Sequence, residues 1–120
     1  MADSLYERLG SAEGITQIAS DLVDIHMQNP VVSARYADSD VAAVKNGAAT
    51  FFISGTGGAA DAYQGKDMLE THKGMDISDE EFIAVLDDAM VALDKNGIDQ
   101  RTKEEVLFVL YSMKGDIIHV

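Results

Sequence analysis

Apolar residues return every three or four positions along most of this chain, and the pattern divides it into amphipathic stretches. In GITQIASDLVDIHMQ, residues 14–28, Ile15, Ile18, Leu22, Val23, Ile25 and His26 fall at helical spacing, and Pro30 ends the run. SDVAAVKNGAATFFIS, residues 39–54, repeats the period with Val41, Val44, Ala48, Phe51 and Phe52. ISDEEFIAVLDDAMVALDKNG, residues 77–97, opens on a capping box of Ser78 and Glu81. Its stripe is Phe82, Val85, Leu86, Met90 and Leu93, and Gly97 is its stop. RTKEEVLFVLYSMKGDII, residues 101–118, sets Thr102 and Glu105 in the same capping relation and aligns Val106, Val109, Leu110 and Met113. No alternating run longer than four residues competes, so the pattern predicts an all-α fold.

The gap between the second and third stretches breaks the rhythm. SGTGGAADAYQGKDMLETHKGMD, residues 54–76, holds five of the ten glycines and one short helical patch over 66–73. A connection of this length is uncommon in a compact domain unless it does something. His72 sits on that single turn of helix, which implies that a ligand, rather than a hydrophobic core, fixes the segment.

Composition narrows the chemistry. A chain of 120 residues with 47% hydrophobic content is expected to form one domain over 1–120. Its net charge of −12 repels a phosphate backbone and disfavours nucleic-acid binding. With no cysteine there is no thiolate metal site and no cysteine nucleophile. The opening MADSLYERLG lacks the pattern of a secretory signal, and no apolar run reaches the roughly 18 residues of a membrane span, so a cytoplasmic monomer is expected. SGTGG follows a helix pattern rather than a strand and reads as a helix stop, not a phosphate loop. DKNGID has its glycine two positions early for a calcium loop. Asp79, Glu80 and Glu81 suit a helix N-terminus without any catalytic role. Zinc needs several converging ligands, whereas haem needs one axial imidazole, because the porphyrin supplies the other nitrogens. An all-helical chain with His72 in a ligand-ordered segment therefore points at haem.

These residues resemble the group 1 truncated haemoglobins, the short two-over-two globins. SLYERLG followed by Gly14 and Ile15 is similar to that family's first helix and turn. From Gly55 to Gly74 the order of glycine pair, Tyr63, Gly65, Lys66, Met68, His72 and Gly74 is similar to its signature, with one extra residue near 59–62. ISDEEFIAVL and MKGDII resemble the last two helices, so the likeness spans nearly the whole chain.

The resemblance implies haem b (iron protoporphyrin IX) with His72 as proximal iron ligand. It implies that Phe51 and Phe52 pack on the porphyrin from the distal helix and that Tyr36 stands where the family stacks an aromatic ring. Lys66 would lie near the propionates, Met68, Leu69 and Met75 would line the proximal side, and Val85 and Leu86 would stand behind. The family commonly aims a tyrosine and a glutamine or histidine at the bound gas. Here Val23 occupies the first of those positions and Val44, Gly47 and Ala48 the others, leaving an apolar distal pocket. His26 and Lys45 are the polar groups that a modest shift would bring toward iron, and His119 reads as free. The implied function is reversible binding of a diatomic gas (oxygen, nitric oxide or carbon monoxide), as in oxygen transport. Nitric oxide detoxification with a reductase partner, peroxidase-type chemistry or a sensor role are alternatives, and the missing distal donors weigh against the enzymatic ones.

Overall fold

The computed structural model describes residues 4–58, 62–63 and 68–119, without the side chains of Met68 and Leu69. Helix α1, Leu5–Arg8, is closed by a capping box in which Ser4 and Glu7 serve each other's backbone amides. Gly10, at φ +95°, turns the chain into α2, Ser11–Gln28. This helix starts before the apolar stripe does, because Ser11, Ala12 and Glu13 add a turn with little to bury. Gly14 lies inside that added turn, where a β-carbon would stand 2.4 Å from the Leu9 carbonyl oxygen. Asn29 takes the extended conformation that a following proline demands, so α2 ends one residue short of Pro30.

A 3-10 turn at Ser33–Tyr36 leads to α3, Val41–Gly55, capped by the Asp40 carboxylate on the Ala43 amide. Helix α4 is the short Met68–His72 turn, and α5 runs from Asp79 to Lys95 behind the Ser78–Glu81 box. Past α5, the Ile98 amide reaches the Leu93 carbonyl and the Gly97 amide reaches Asp94, a Schellman ending with Gly97 at φ +71°. Helix α6, Gln100–Tyr111, begins earlier than the pattern suggested, because Asp99 is its cap and accepts from the Thr102 amide at 2.9 Å. Thr102, expected as the cap, is buried instead, and its hydroxyl accepts from Arg8, which also pairs with Glu105. The chain then leaves the helical path in a 3-10 turn at Lys114–Asp116, and Ile118 forms a parallel bridge with Ile77.

The expectation of an all-α fold is met: among the described residues there is no strand, and no helix is long and apolar enough to cross a membrane. The main core gathers Leu9, Ile15, Ile18, Leu22, Ala89, Ala92, Leu93 and Val106 from α2, α5, α6 and the α1–α2 turn. Each of its Leu, Ile and Val side chains stabilises the fold by about 1.5–3 kcal/mol when fully buried. A smaller cluster of Ile77, Phe82 and Leu86 sits apart, with Leu107, Leu110, Ile117 and Ile118 packed on it. Two cores in so short a chain leave room between elements, and that room matters below.

The close approach at Gly14 generates a stability prediction. Gly14→Ala is expected to lower the unfolding free energy by about 2 kcal/mol, since backbone rather than a pliable side chain must move. Chemical denaturation checks it; an unchanged midpoint would mean that the α1–α2 turn is free to open.

Candidate functional site

Against the smaller cluster lies a cavity of about 380 Å³, in the range of roughly 300–1,000 Å³ usual for cofactor and small-molecule sites. Its walls are drawn from distant parts of the chain. The 3-10 turn contributes Val32, Arg35, Tyr36 and, just beyond it, Ser39, while α3 contributes Phe51. Thr71, His72, Met75 and Ile77 come from α4 and the chain after it. Glu81, Phe82, Val85 and Leu86 come from α5, and Leu110, Met113 and Ile117 close the far side. Apolar side chains make up most of this lining, and His72 is its imidazole.

Of the positions singled out in the sequence, the structure brings Tyr36, Phe51, His72, Met75, Val85 and Leu86 together in this wall. Phe52 is not there. One residue on from Phe51, it turns about 100° around α3 and packs on the main core instead. Val44, Gly47 and Ala48 are not wall residues, yet they precede Phe51 by seven, four and three positions and so share its helix face. A β-carbon at Gly47 would meet nothing within 4 Å. Val23 is buried within α2, away from the wall. Lys66 lies outside the described residues, as do the side chains of Met68 and Leu69.

The polar groups proposed to approach iron have other attachments. His26 is buried, and its Nδ1 lies 2.7 Å from the Asp88 carboxylate, which also accepts from the Asn29 amide group at 3.0 and 3.1 Å. Its ring lies parallel to that of Tyr36, within 8° and 5.7 Å between centroids, so Tyr36 stands between His26 and the cavity edge that it lines. Lys45 pairs with Asp24 across α2 and α3 at 2.9 Å. His119, expected to be free, binds Asp76 at 2.7 Å while its amide donates to the Ile77 carbonyl. Burial and the nearby Asp88 charge push the Tyr36 phenol above its ordinary pKa, which keeps it a hydrogen-bond donor. No hydrogen bond of its hydroxyl is found among the described residues, and the hydroxyl is not a buried unsatisfied atom.

Arg35 and Glu81 were not singled out as a pair, and they sit 46 positions apart at the cavity edge. The guanidinium grips the carboxylate with Nε and Nη2, the latter at 2.8 Å, and its Nη1 donates to the Met75 carbonyl at 3.1 Å. The hydrogen bonds from Arg35, then those from Ser78, hold the Glu81 carboxyl far below its usual range, at about 2. Glu81 could be read in the sequence as a capping residue; nothing local marks Arg35 as its partner.

Among the described residues no group of three His, Cys, Asp or Glu is placed to hold a bare metal ion. A largely apolar cavity with an imidazole in its wall instead fits a flat apolar cofactor that brings its own metal ligands.

The family model described as bacterial-like globin matches residues 4–119. Among solved structures, the truncated haemoglobin of Tetrahymena pyriformis in its Fe(III) form is similar at 21% identity, over 98% of this chain and 100% of that one, with a TM-score of 0.93. The cyanomet 2/2 haemoglobin of Synechococcus sp. PCC 7002, with covalently attached haem, matches at 21% identity, 97% and 98% coverage and a TM-score of 0.88. The group II truncated haemoglobin of Bacillus anthracis matches at 18% identity, 100% and 94% coverage and a TM-score of 0.89. The fold is therefore that of truncated haemoglobins, without singling out group 1.

The Arg35–Glu81 pair predicts an acid limb in stability. The Glu81 carboxyl lies below its unfolded value of 4.5, so the pair's contribution is complete above pH 4.5 and is lost as pH falls toward about 2. Urea unfolding between pH 2 and 5 should show this loss, and Glu81→Gln should flatten that part of the profile. A mutant profile as steep as the natural one would assign the acid sensitivity to other carboxylates.

Proposed function

The chain belongs to the bacterial-like globin family and binds haem, and from that membership we propose that it reversibly binds a diatomic gas, with His72 as the protein ligand to iron. The observation that carries the reading is the position of His72 in the wall of a largely apolar cavity. Haem b, held by His72, would supply an iron able to take up oxygen, nitric oxide or carbon monoxide. Phe51, Phe82, Val85 and Leu86 would exclude water from its faces, and Met75, Ile77 and Met113 would close the edges around the imidazole. On the distal side, Val44, Gly47 and Ala48 share the Phe51 face and offer no hydrogen-bond donor. Bound oxygen gains from a donated hydrogen bond and carbon monoxide gains little, so oxygen should leave quickly and carbon monoxide should be preferred. A cytoplasmic monomer kept ferrous by a separate reductase completes the reading.

A second reading rests on the Tyr36 hydroxyl, a donor at the cavity wall whose phenol resists ionisation. If it reaches the bound gas, oxygen is held long enough for nitric oxide dioxygenation.

Two measurements test these readings. His72→Ala is expected to lose the Soret band of a histidine-ligated haem on purification, and wild-type haem retention with an unchanged ferrous spectrum would refute the ligand assignment. Gly47→Gln places an amide donor into open space on the Phe51 face. It should slow oxygen dissociation about tenfold, the worth of one good hydrogen bond in affinity, with little effect on carbon monoxide. Slow oxygen release from the natural protein, accelerated by Tyr36→Phe, would instead establish Tyr36 as the donor.

A further inference from the structure

The turn that follows His72 is held through its backbone. Gly74 and Asp76 both adopt left-handed backbone, at φ +85° and +50°, and Met75 between them is 38% exposed. An apolar contact therefore does little to fix the Met75 peptide. Hydrogen bonds do. The Met75 amide donates to the His72 carbonyl at 3.0 Å, closing the turn that begins at His72, and the Met75 carbonyl accepts from Arg35 Nη1 at 3.1 Å. The same guanidinium is held by both oxygens of Glu81, and Glu81 Oε1 also accepts from the Ser78 amide at 3.1 Å. One planar fork thus joins the turn that carries Tyr36, the turn that follows His72 and the first turn of α5. Asp76, next along, is tied separately to His119, so the C-terminal segment steadies the chain beyond Met75 but not the Met75 carbonyl itself.

We propose that Arg35 is a positioning residue for His72, fixing the Met75 peptide through its Nη1 hydrogen bond while Glu81 fixes the guanidinium. The proposal rests on the reading of His72 as the iron ligand. A lysine in place of Arg35 would keep the charge opposite Glu81, but a single ammonium cannot reproduce a two-point grip on a carboxylate together with a third bond to a carbonyl. Positioning and plain stabilisation therefore separate in this substitution.

The experiment compares natural protein, Arg35→Gln and Arg35→Lys as haem-loaded ferrous proteins. Resonance Raman reads the iron–histidine stretching band, haem transfer to an apo-globin acceptor reads retention, and thermal melting reads stability. Arg35→Gln should displace or broaden the band and speed haem loss about tenfold, as expected for loss of a charged hydrogen bond. Arg35→Lys should recover most of the melting temperature and leave the band displaced. A normal band in both variants overturns the positioning role while leaving the ligand assignment intact, and so does a band restored together with stability in Arg35→Lys. A natural protein with no iron–histidine band overturns the ligand assignment, and this proposal with it.

Discussion

Asp88 is a carboxylate buried on α5 with both oxygens engaged by α2 and its C-cap, through His26 and the Asn29 side chain. A buried charge of this kind is tolerated only where its partners are in place, because losing one leaves an uncompensated ion in a medium that solvates it poorly. The consequence is geometric. The end of α2 is locked onto the middle of α5, the Asn29 carbonyl side chain caps the Val31 amide at 3.0 Å, and the chain is launched into the Ser33–Tyr36 turn from a fixed point. Tyr36 then stacks on the His26 ring that Asp88 holds, and Arg35 beside it reaches across to Glu81. The Tyr36 edge of the cavity is thus suspended from one carboxylate at the opposite side of the ring stack.

A second buried carboxylate plays the same part from α2 itself, a little over one turn before His26. Asp21 accepts from Gln17 and Asn96 and lies near Lys95, so α2 is tied to the C-terminal end of α5 as well. These partners outweigh the cost of burial and hold its carboxyl below the usual range, although burial is the largest influence acting on it. Between the two ties lie Leu22 of α2 and Ala89, Ala92 and Leu93 of α5, the part of the main core that these two helices share. With α2 and α5 fixed to each other by these two polar ties, α3 packed on α2, α4 and the C-terminal segment frame a cavity around a rigid pair.

Helices were legible in the sequence where one residue's own neighbours decide the outcome. Ser78 and Glu81 mark the start of α5 because both halves of the capping box lie within four residues, and Gly97 marks its end for the same local reason. At α6 the sequence offered Thr102 as the cap; the Asp99 carboxylate took the Thr102 amide instead, and the buried Thr102 hydroxyl accepts from Arg8 at the other end of the chain. The cavity was legible in part. His72 and Phe51 follow from pattern and likeness, whereas Phe52 turned to the core because adjacent helical residues cannot share a face. The pairs Arg35–Glu81 and His26–Asp88 span 46 and 62 positions, and no local rule connects residues so far apart. His119 was likewise misread as free, since only the folded chain brings Asp76 to it.

The far wall of the cavity comes from a part of the chain remote from the wall it faces. Met113 and Ile117 complete a lining that begins at Val32, and Ile118 is bridged to Ile77 beside His72. The enclosure is therefore a non-local product, assembled only after its two ends have met, and such contacts form late because the intervening chain must first surrender its freedom. During synthesis on the ribosome, α2, α3 and the His72 turn would all have emerged before the residues that finish the pocket. Cofactor capture then waits on Met113 and Ile117, which complete the enclosure, rather than on the helix that carries the imidazole.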